Sequence, residues 1–174
     1  TDKPLALMSR VVLLTGSNAP QSESVLHRTA DILARRVGEV EQASQIYTSE
    51  PWGFHAEELF SNQALILQTS LTPIEVLDEA LATEQEVGRD RAKEQAEKSL
   101  TGERYASREV DVDVMFYDEE IIDTPRLKLP PPLLHVREFA LQPLCEIMGD
   151  YRHPVLGKTL STIYEELKGQ GPKI

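Results

Sequence analysis

Residues 108–116 read Arg108-Glu109-Val110-Asp111-Val112-Asp113-Val114-Met115-Phe116. Alternating apolar and acidic side chains mark a β-strand, in which residues i and i+2 point the same way with Cα atoms roughly 6–7 Å apart. The alternation puts Val110, Val112, Val114 and Phe116 on a core face and Asp111 with Asp113 on the other. Two carboxylates fixed side by side repel unless positive charge lies between them. A hard cation such as Mg²⁺ often takes only one or two carboxylates and completes its shell with substrate phosphates. An amphipathic strand with a solvated polar face has the same local pattern, so the rest of the chain must decide.

Just upstream, Arg89, Arg91, Lys93, Lys98, Arg104 and Arg108 gather positive charge in a chain whose formal net charge is −11. That balance argues against general nucleic-acid binding, which relies on clustered Lys and Arg. A basic segment beside an acidic pair suits a small anionic ligand handled with metal. Glu94, Glu97 and Glu103 leave open a solvated, charge-rich loop. Gly88 is a helix terminator, and the residues after it show little periodicity. Residues 89–107 are therefore expected to form a long mobile loop, of a length that is usually functional or disordered.

Further outward, residues 10–15 read as a buried strand running into the turn Gly16-Ser17-Asn18. Ser22 is placed to cap a helix over residues 22–37, with Val25, Leu26, Thr29, Ile32 and Leu33 at helical spacing and Gly38 beyond its end. Strands are expected over residues 40–47 and 60–69, separated by a rigid loop at Ser49-Glu50-Pro51-Trp52-Gly53. Thr72-Pro73-Ile74-Glu75 combines a capping Thr, Pro at the first helical position and Glu at the third. The helix it opens should run to about Val87, with Val76, Leu77, Ala80 and Leu81 inward. Glu84 falls on that stripe, so its carboxylate lies at the stripe's edge or in a site, because unpaired buried charge is costly. A short strand at Ile121-Ile122, a Pro130-Pro131-Pro132 run and helices over residues 139–148 and 159–167 complete the reading.

This order indicates an α+β fold with a ferredoxin-like core: a mostly antiparallel sheet flanked by helices, three layers deep. A length of 174 residues fits one domain, with residues 1–8 a flexible extension. Cys145 is the only cysteine, which forbids an intrachain disulfide and fits a reducing cytoplasm. No apolar run reaches the roughly 20 residues of a membrane helix, and neither a P-loop nor a dinucleotide fingerprint occurs.

Gly16-Ser17-Asn18, then Tyr47 to Gly53, Phe60-Ser61-Asn62-Gln63-Ala64, Glu84 to Arg89, Arg108 to Val114 and Arg137 to Leu144 follow one another at characteristic spacings. In this series the chain resembles the 6-hydroxymethyl-7,8-dihydropterin pyrophosphokinases of folate biosynthesis. The resemblance implies transfer of pyrophosphate from ATP to the pterin hydroxymethyl group, with two Mg²⁺ ions held by Asp111 and Asp113. It assigns Arg89, Arg91 and Arg108 to phosphate binding and transition-state charge. Phe60 and Phe139 match the ring sandwich, Asn62 the pterin edge, and Thr48, Ser49, Pro51, Trp52 and Gly53 the pterin loop. Glu84, Arg91, Tyr105, Arg108, Val114, Arg126 and Arg137 match the ATP side. The implied partners are these two small molecules, with no nucleic acid or membrane, and a monomer is expected. The chain departs from the pattern at Pro131, where many members carry His, and at Tyr105, where Trp is usual. These departures leave room for a non-catalytic pterin- or nucleotide-binding module of the same fold.

Overall fold

Val11, Val12, Leu13 and Leu14 are all almost wholly buried, which requires a strand covered on both faces. The computed structural model describes residues 8–49, 60–98 and 110–169, with residues 49 and 89–98 described through their backbone alone. In chain order the elements are β1 (Ser9–Ser17), α1 (Ser22–Arg36), β2 (Gly38–Ala43), β3 (Tyr47–Ser49), β4 (Phe60–Thr69), α2 (Pro73–Lys98), β5 (Asp111–Tyr117), β6 (Ile122–Asp123), β7 (Lys128–Leu129), a 3-10 turn at Leu134–Val136, α3 (Glu138–Met148) and α4 (Leu160–Gly169). No helix among the described residues is long and apolar enough to cross a membrane.

The main sheet runs β2-β4-β1-β5, every pair antiparallel, and β3 pairs with β4 as well. This is the expected ferredoxin-like arrangement, two interleaved β-α-β units. Leu33 and Val37 at the end of α1 and Val76 and Ala80 of α2 pack with Val11, Leu13, Val112 and Val114 under one face. Ala140, Leu141 and Leu144 of α3 and Leu160 and Ile163 of α4 cover Val12, Leu14, Ala64 and Ile66 on the other. Within the first helical layer, α1 and α2 are joined by charge. The Arg36 guanidinium on α1 donates to Glu86 at 2.8 Å and to Glu79 at 3.0 Å on α2. That partner holds the Glu86 carboxyl below its usual range.

The strand reading of residues 108–116 needs one correction. Opposite Val12 and Leu13, β5 spends an extra residue: Phe116 faces Val12 but Val114 faces Leu13, leaving Met115 as a bulge. A bulge shifts the side-chain phase. Phe116 therefore joins the α3–α4 core, whereas Val112, Val114 and Tyr117 stay on the α1–α2 side. Asp111 and Asp113 precede the bulge and keep their common face.

A second correction concerns α2, which does not stop at Gly88 but continues to Lys98. Residues 89–98 contain only Arg, Asp, Ala, Lys, Glu and Gln. Apart from the single Asp these are strong helix formers, and their summed propensity outweighs the roughly 1 kcal/mol a helical glycine costs. Arg89 and Arg91 are thus carried on a helix, in a region where a loop was expected. The start of α2 matches expectation: Thr72 N donates to Glu75 Oε1 at 2.9 Å and Glu75 N to Thr72 Oγ1 at 3.3 Å. Ser22, by contrast, is not a cap. Gln21 occupies that position without a side-chain bond, and the Ser22 hydroxyl meets Ser61 Oγ at 2.9 Å. The strand expected over residues 40–47 is also broken at 44–46, where Ser44 Oγ accepts from Ala64 N and interrupts the ladder.

Gly38 opens β2 where the chain turns back from α1. An added Cβ would stand 1.8 Å from the Gln68 carbonyl oxygen, which belongs to the backbone of β4 and cannot swing aside. Gly38→Ala should therefore lower the unfolding free energy by about 1–3 kcal/mol, the cost of overpacking. Chemical denaturation would measure it, and an unchanged midpoint would contradict the close approach.

His153 is buried between α3 and α4, its ring edge-on to Phe116. Its Nδ1 accepts from Val155 N at 3.2 Å and Leu156 N at 3.0 Å. Burial, then the nearby His135, hold its pKa below the ordinary value. A histidine kept neutral in the fold contributes fully above its unfolded pKa, about 6.5. As pH falls below that value the unfolded chain gains a proton the folded chain refuses, so stability declines until the lower folded pKa is reached. Melting temperature should fall with pH through this window, and His153→Asn should flatten the slope. An equal slope in both proteins would remove His153 as the cause.

Candidate active site

Asp111 and Asp113 open into a cleft of about 430 Å³ between α2, the first residues of β5, the β6–β7 hairpin and the start of α3. Its walls include Glu84, Val114, Arg126, Arg137 and Phe139, all expected at a site from sequence. Asp113 and Phe139 are exposed, and Asp111 and Arg137 are half-buried. Glu84 settles the question its position raised: Oε2 accepts the Val112 N–H at 2.7 Å. Because β5 is an outer strand, that N–H has no neighbouring strand to bond. The carboxylate therefore fixes the strand segment that lies between the two aspartates. Arg126 is ion-paired with Asp78 of α2, which draws the hairpin over the cleft.

Strand register connects this cleft to a second group of residues. Gly16 lies opposite Asn62 on β4 and opposite Asp111 on β5, so the three form one row across the sheet. With strands about 4.8 Å apart, Asn62 and Asp111 are separated by about 10 Å of glycine floor. The row faces the α3 side, since Leu14, two residues from Gly16 on β1, packs against Ala140 and Leu141. Asn62 is 5% exposed, and its Nδ2 donates to Thr15 O at 3.3 Å. Phe60 stands two residues before Asn62 on the same face, with Cε1 3.6 Å from where a Gly16 Cβ would be. Gly16 thus leaves a shallow slot with an amide and a ring at one end and a carboxylate at the other.

Phe60 and Asn62 do not line the cleft itself; they border it across Gly16, whereas the Thr48 side chain lies on the other face of the sheet, beside Ser22 and Ser61. Thr48 is exposed, and its hydroxyl meets Ser61 Oγ at 3.0 Å. Ser49 ends β3 and pairs with Phe60. Pro51, Trp52, Gly53, Tyr105 and Arg108 lie outside the described residues, and the side chains of Arg89 and Arg91 are likewise not described. Sequence reasoning missed Leu77, Leu81 and Lys128 as cleft walls. Leu81 was read as core, yet it is 43% exposed because the cleft opens beside it.

A metal fits the donor set only in a particular way. Among the described residues no cluster of three or more His, Cys, Asp or Glu side chains is arranged to enclose an ion. Two neighbouring carboxylates on a rigid strand, facing an open cleft, suit a hard cation that takes few protein ligands and completes its shell from phosphates. They do not suit a closed structural site, which needs four protein ligands.

An antiparallel αβα scaffold with an acidic pair, arginines and an aromatic ring around one cleft suits a group-transfer enzyme acting on a phosphorylated substrate. A model of the 7,8-dihydro-6-hydroxymethylpterin-pyrophosphokinase family (HPPK) matches residues 12–149. The chain is 35% identical over 159 residues to the 2-amino-4-hydroxy-6-hydroxymethyldihydropteridine pyrophosphokinase of Aquifex aeolicus, covering 91% of this chain and 92% of that one. It is 32% identical over 167 residues to the enzyme of the same name from Synechocystis sp., covering 96% and 80%. Among solved structures it resembles Plasmodium falciparum HPPK-DHPS, with a TM-score of 0.69 at 13% identity, a likeness of fold. That match covers 94% of this chain and 46% of the other, so the chain spans less than half of the longer protein. The chain belongs to the 7,8-dihydro-6-hydroxymethylpterin-pyrophosphokinase family.

Proposed function

We propose that this protein transfers the pyrophosphoryl group of ATP to 6-hydroxymethyl-7,8-dihydropterin as a step of folate biosynthesis. The pterin hydroxymethyl oxygen forms a bond to the β-phosphorus, the bond from that phosphorus to the α–β bridging oxygen breaks, and AMP leaves with the bridging oxygen. The hydroxymethyl proton goes to solvent. Asp111 and Asp113 would hold two Mg²⁺ ions together with the phosphate oxygens, and that charge offsets the repulsion an acidic protein exerts on a triphosphate.

The observation that most supports this reading is the single row Asn62–Gly16–Asp111. It lays an aromatic-and-amide subsite directly beside an acidic one on a rigid sheet, and phosphoryl transfer depends mainly on positioning and charge stabilisation. In this reading Phe60 and Phe139 stack the flat ring, and Asn62 offers both donor and acceptor to its edge. Backbone groups of Thr48 and Ser49, which end β3, and of Pro51, Trp52 and Gly53 offer further hydrogen bonds to the ring. Arg126 and Arg137 bind phosphate oxygens through paired N–H donors, and Val114 lines the adenine side. Arg89 and Arg91 on the extension of α2, with Tyr105 and Arg108, complete the ATP side. The protein works as a monomer in the cytoplasm.

The deciding experiment mixes the protein with ATP, Mg²⁺ and the pterin and identifies the nucleotide product by chromatography. AMP that forms only when the pterin is present is the expected result. Bound pterin without AMP would replace this reading with a non-catalytic binding module.

A further inference from the structure

Glu146 lies on α3 far from the acidic pair, and nothing in the proposed reaction uses it. Its carboxylate nevertheless takes three hydrogen bonds from one short segment. Tyr47 OH donates to Oε1 at 2.6 Å, and Gln45 N donates to Oε1 at 3.0 Å and to Oε2 at 3.2 Å. We propose that Glu146 and Tyr47 form a strut that sets the width of the pterin slot, making both of them positioning residues for pterin binding. The inference rests on the pyrophosphokinase reading of the cleft.

The argument comes from what each end of the strut carries. Tyr47 faces Asn62 in the β3–β4 register, so its ring is fixed to the wall that bears Phe60 and Asn62. Glu146 is seven residues after Phe139, two helical turns, which returns to nearly the same side of α3. The opposite wall is Phe139, exposed at the cleft mouth. The strut therefore connects the element holding one aromatic face to the element holding the other.

The segment it grips has little other support. β3 is three residues long and pairs with β4 on one side. Between β2 and β3 the ladder is interrupted, and the Gln45 N–H bonds to Glu146 in place of a strand partner. A short outer strand next to an interruption is easily displaced unless a side chain ties it down. Charge-assisted bonds are about twice as strong as neutral ones, and here they converge on one carboxylate. The same contact pushes the Tyr47 pKa up to about 12, the Glu146 bond first and burial second. The phenol thus remains a donor across the working pH range.

The test uses the whole protein and compares Tyr47→Phe, Glu146→Gln and the double variant. Tyr47→Phe keeps the ring and removes one hydroxyl, so its fold should survive. The expected result is a pterin KM raised about fivefold to twentyfold, with kcat and the KM for ATP within about twofold, the signature of lost binding at one substrate. The double variant should be no worse than the more damaging single, because residues acting through each other are not additive. Glu146→Gln keeps an acceptor for Gln45 N and should lose less than Glu146→Ala. Direct titration with pterin, followed by its fluorescence, gives the same readout without turnover. If wild-type protein makes no AMP but binds pterin, the reaction reading fails while the strut remains testable by titration. An unchanged pterin affinity in folded Tyr47→Phe would overturn the strut. So would a fall in kcat with a rise in both KM values and a lower melting temperature, which a purely structural contact would give.

Discussion

Replacing Asp111 by asparagine is expected to abolish pterin-dependent AMP formation while leaving pterin affinity nearly intact. The substitution keeps the size of the side chain and removes its charge. Charge neutralisation at a reacting phosphoryl group is worth several kcal/mol, and each 1.4 kcal/mol is about tenfold in rate. Turnover should therefore drop by about a thousandfold or more, with pterin binding changed by no more than about twofold, since the interaction lost belongs to the reacting state. Asp113→Asn should behave alike, and the double variant should be little worse than either single, as expected for groups that act as one unit. Stability gives an independent check. Asparagine keeps the shape of the side chain, so a thermal melt shows whether lost turnover comes from lost charge or from lost fold. Product analysis by chromatography and a thermal melt suffice. Retention of more than about a tenth of wild-type turnover by Asp111→Asn would contradict an essential charge at this position.

The pair was legible because it depends on a period of two along the chain and on little else. The sheet order and the antiparallel pairing were also within reach, since β1, β4 and β5 are apolar runs bounded by turn residues and the Thr72–Glu75 box marks the start of α2. Three features were hidden, each for a physical reason. The Met115 bulge moves Phe116 to the opposite core, and nothing in an alternating pattern records an inserted residue until the partner strand is known. The extension of α2 past Gly88 lacks an apolar stripe, so a reading by periodicity stopped where propensity continued. The strut from Glu146 to Tyr47 joins residues 99 positions apart, and no local pattern encodes such a contact. Of the site, residue types and order were accessible in advance. Their division into a cleft at Asp111 and a neighbouring slot at Asn62 came from the register of three strands.

Gly16→Ala is expected to damage pterin use about as severely as deleting a direct contact, although the residue carries no functional group. The added Cβ would lie 2.6 Å from Asn62 Nδ2. A side-chain tip can usually yield to such an intrusion, but Asn62 is 5% exposed and its amide is already bonded to Thr15 O. It has to give up that bond and turn away from the row, or β1 and β4 have to part. Forced overpacking of this kind costs about 1–3 kcal/mol. Either outcome displaces the amide relative to Asp111, so kcat/KM for the pterin should fall about a hundredfold, which is about 2.7 kcal/mol of lost transition-state stabilisation. The KM for ATP should hold within about twofold, because the loss is confined to one substrate's contacts. A second substitution identifies the victim. If the methyl acts by displacing the amide, adding Asn62→Ala to Gly16→Ala should cost nothing further and should restore the melting temperature. If the two losses instead add fully, they arise at independent places, and the methyl acts by displacing backbone. A Gly16→Ala protein with wild-type kcat/KM for the pterin would mean that the row across β4, β1 and β5 is not where the ring lies.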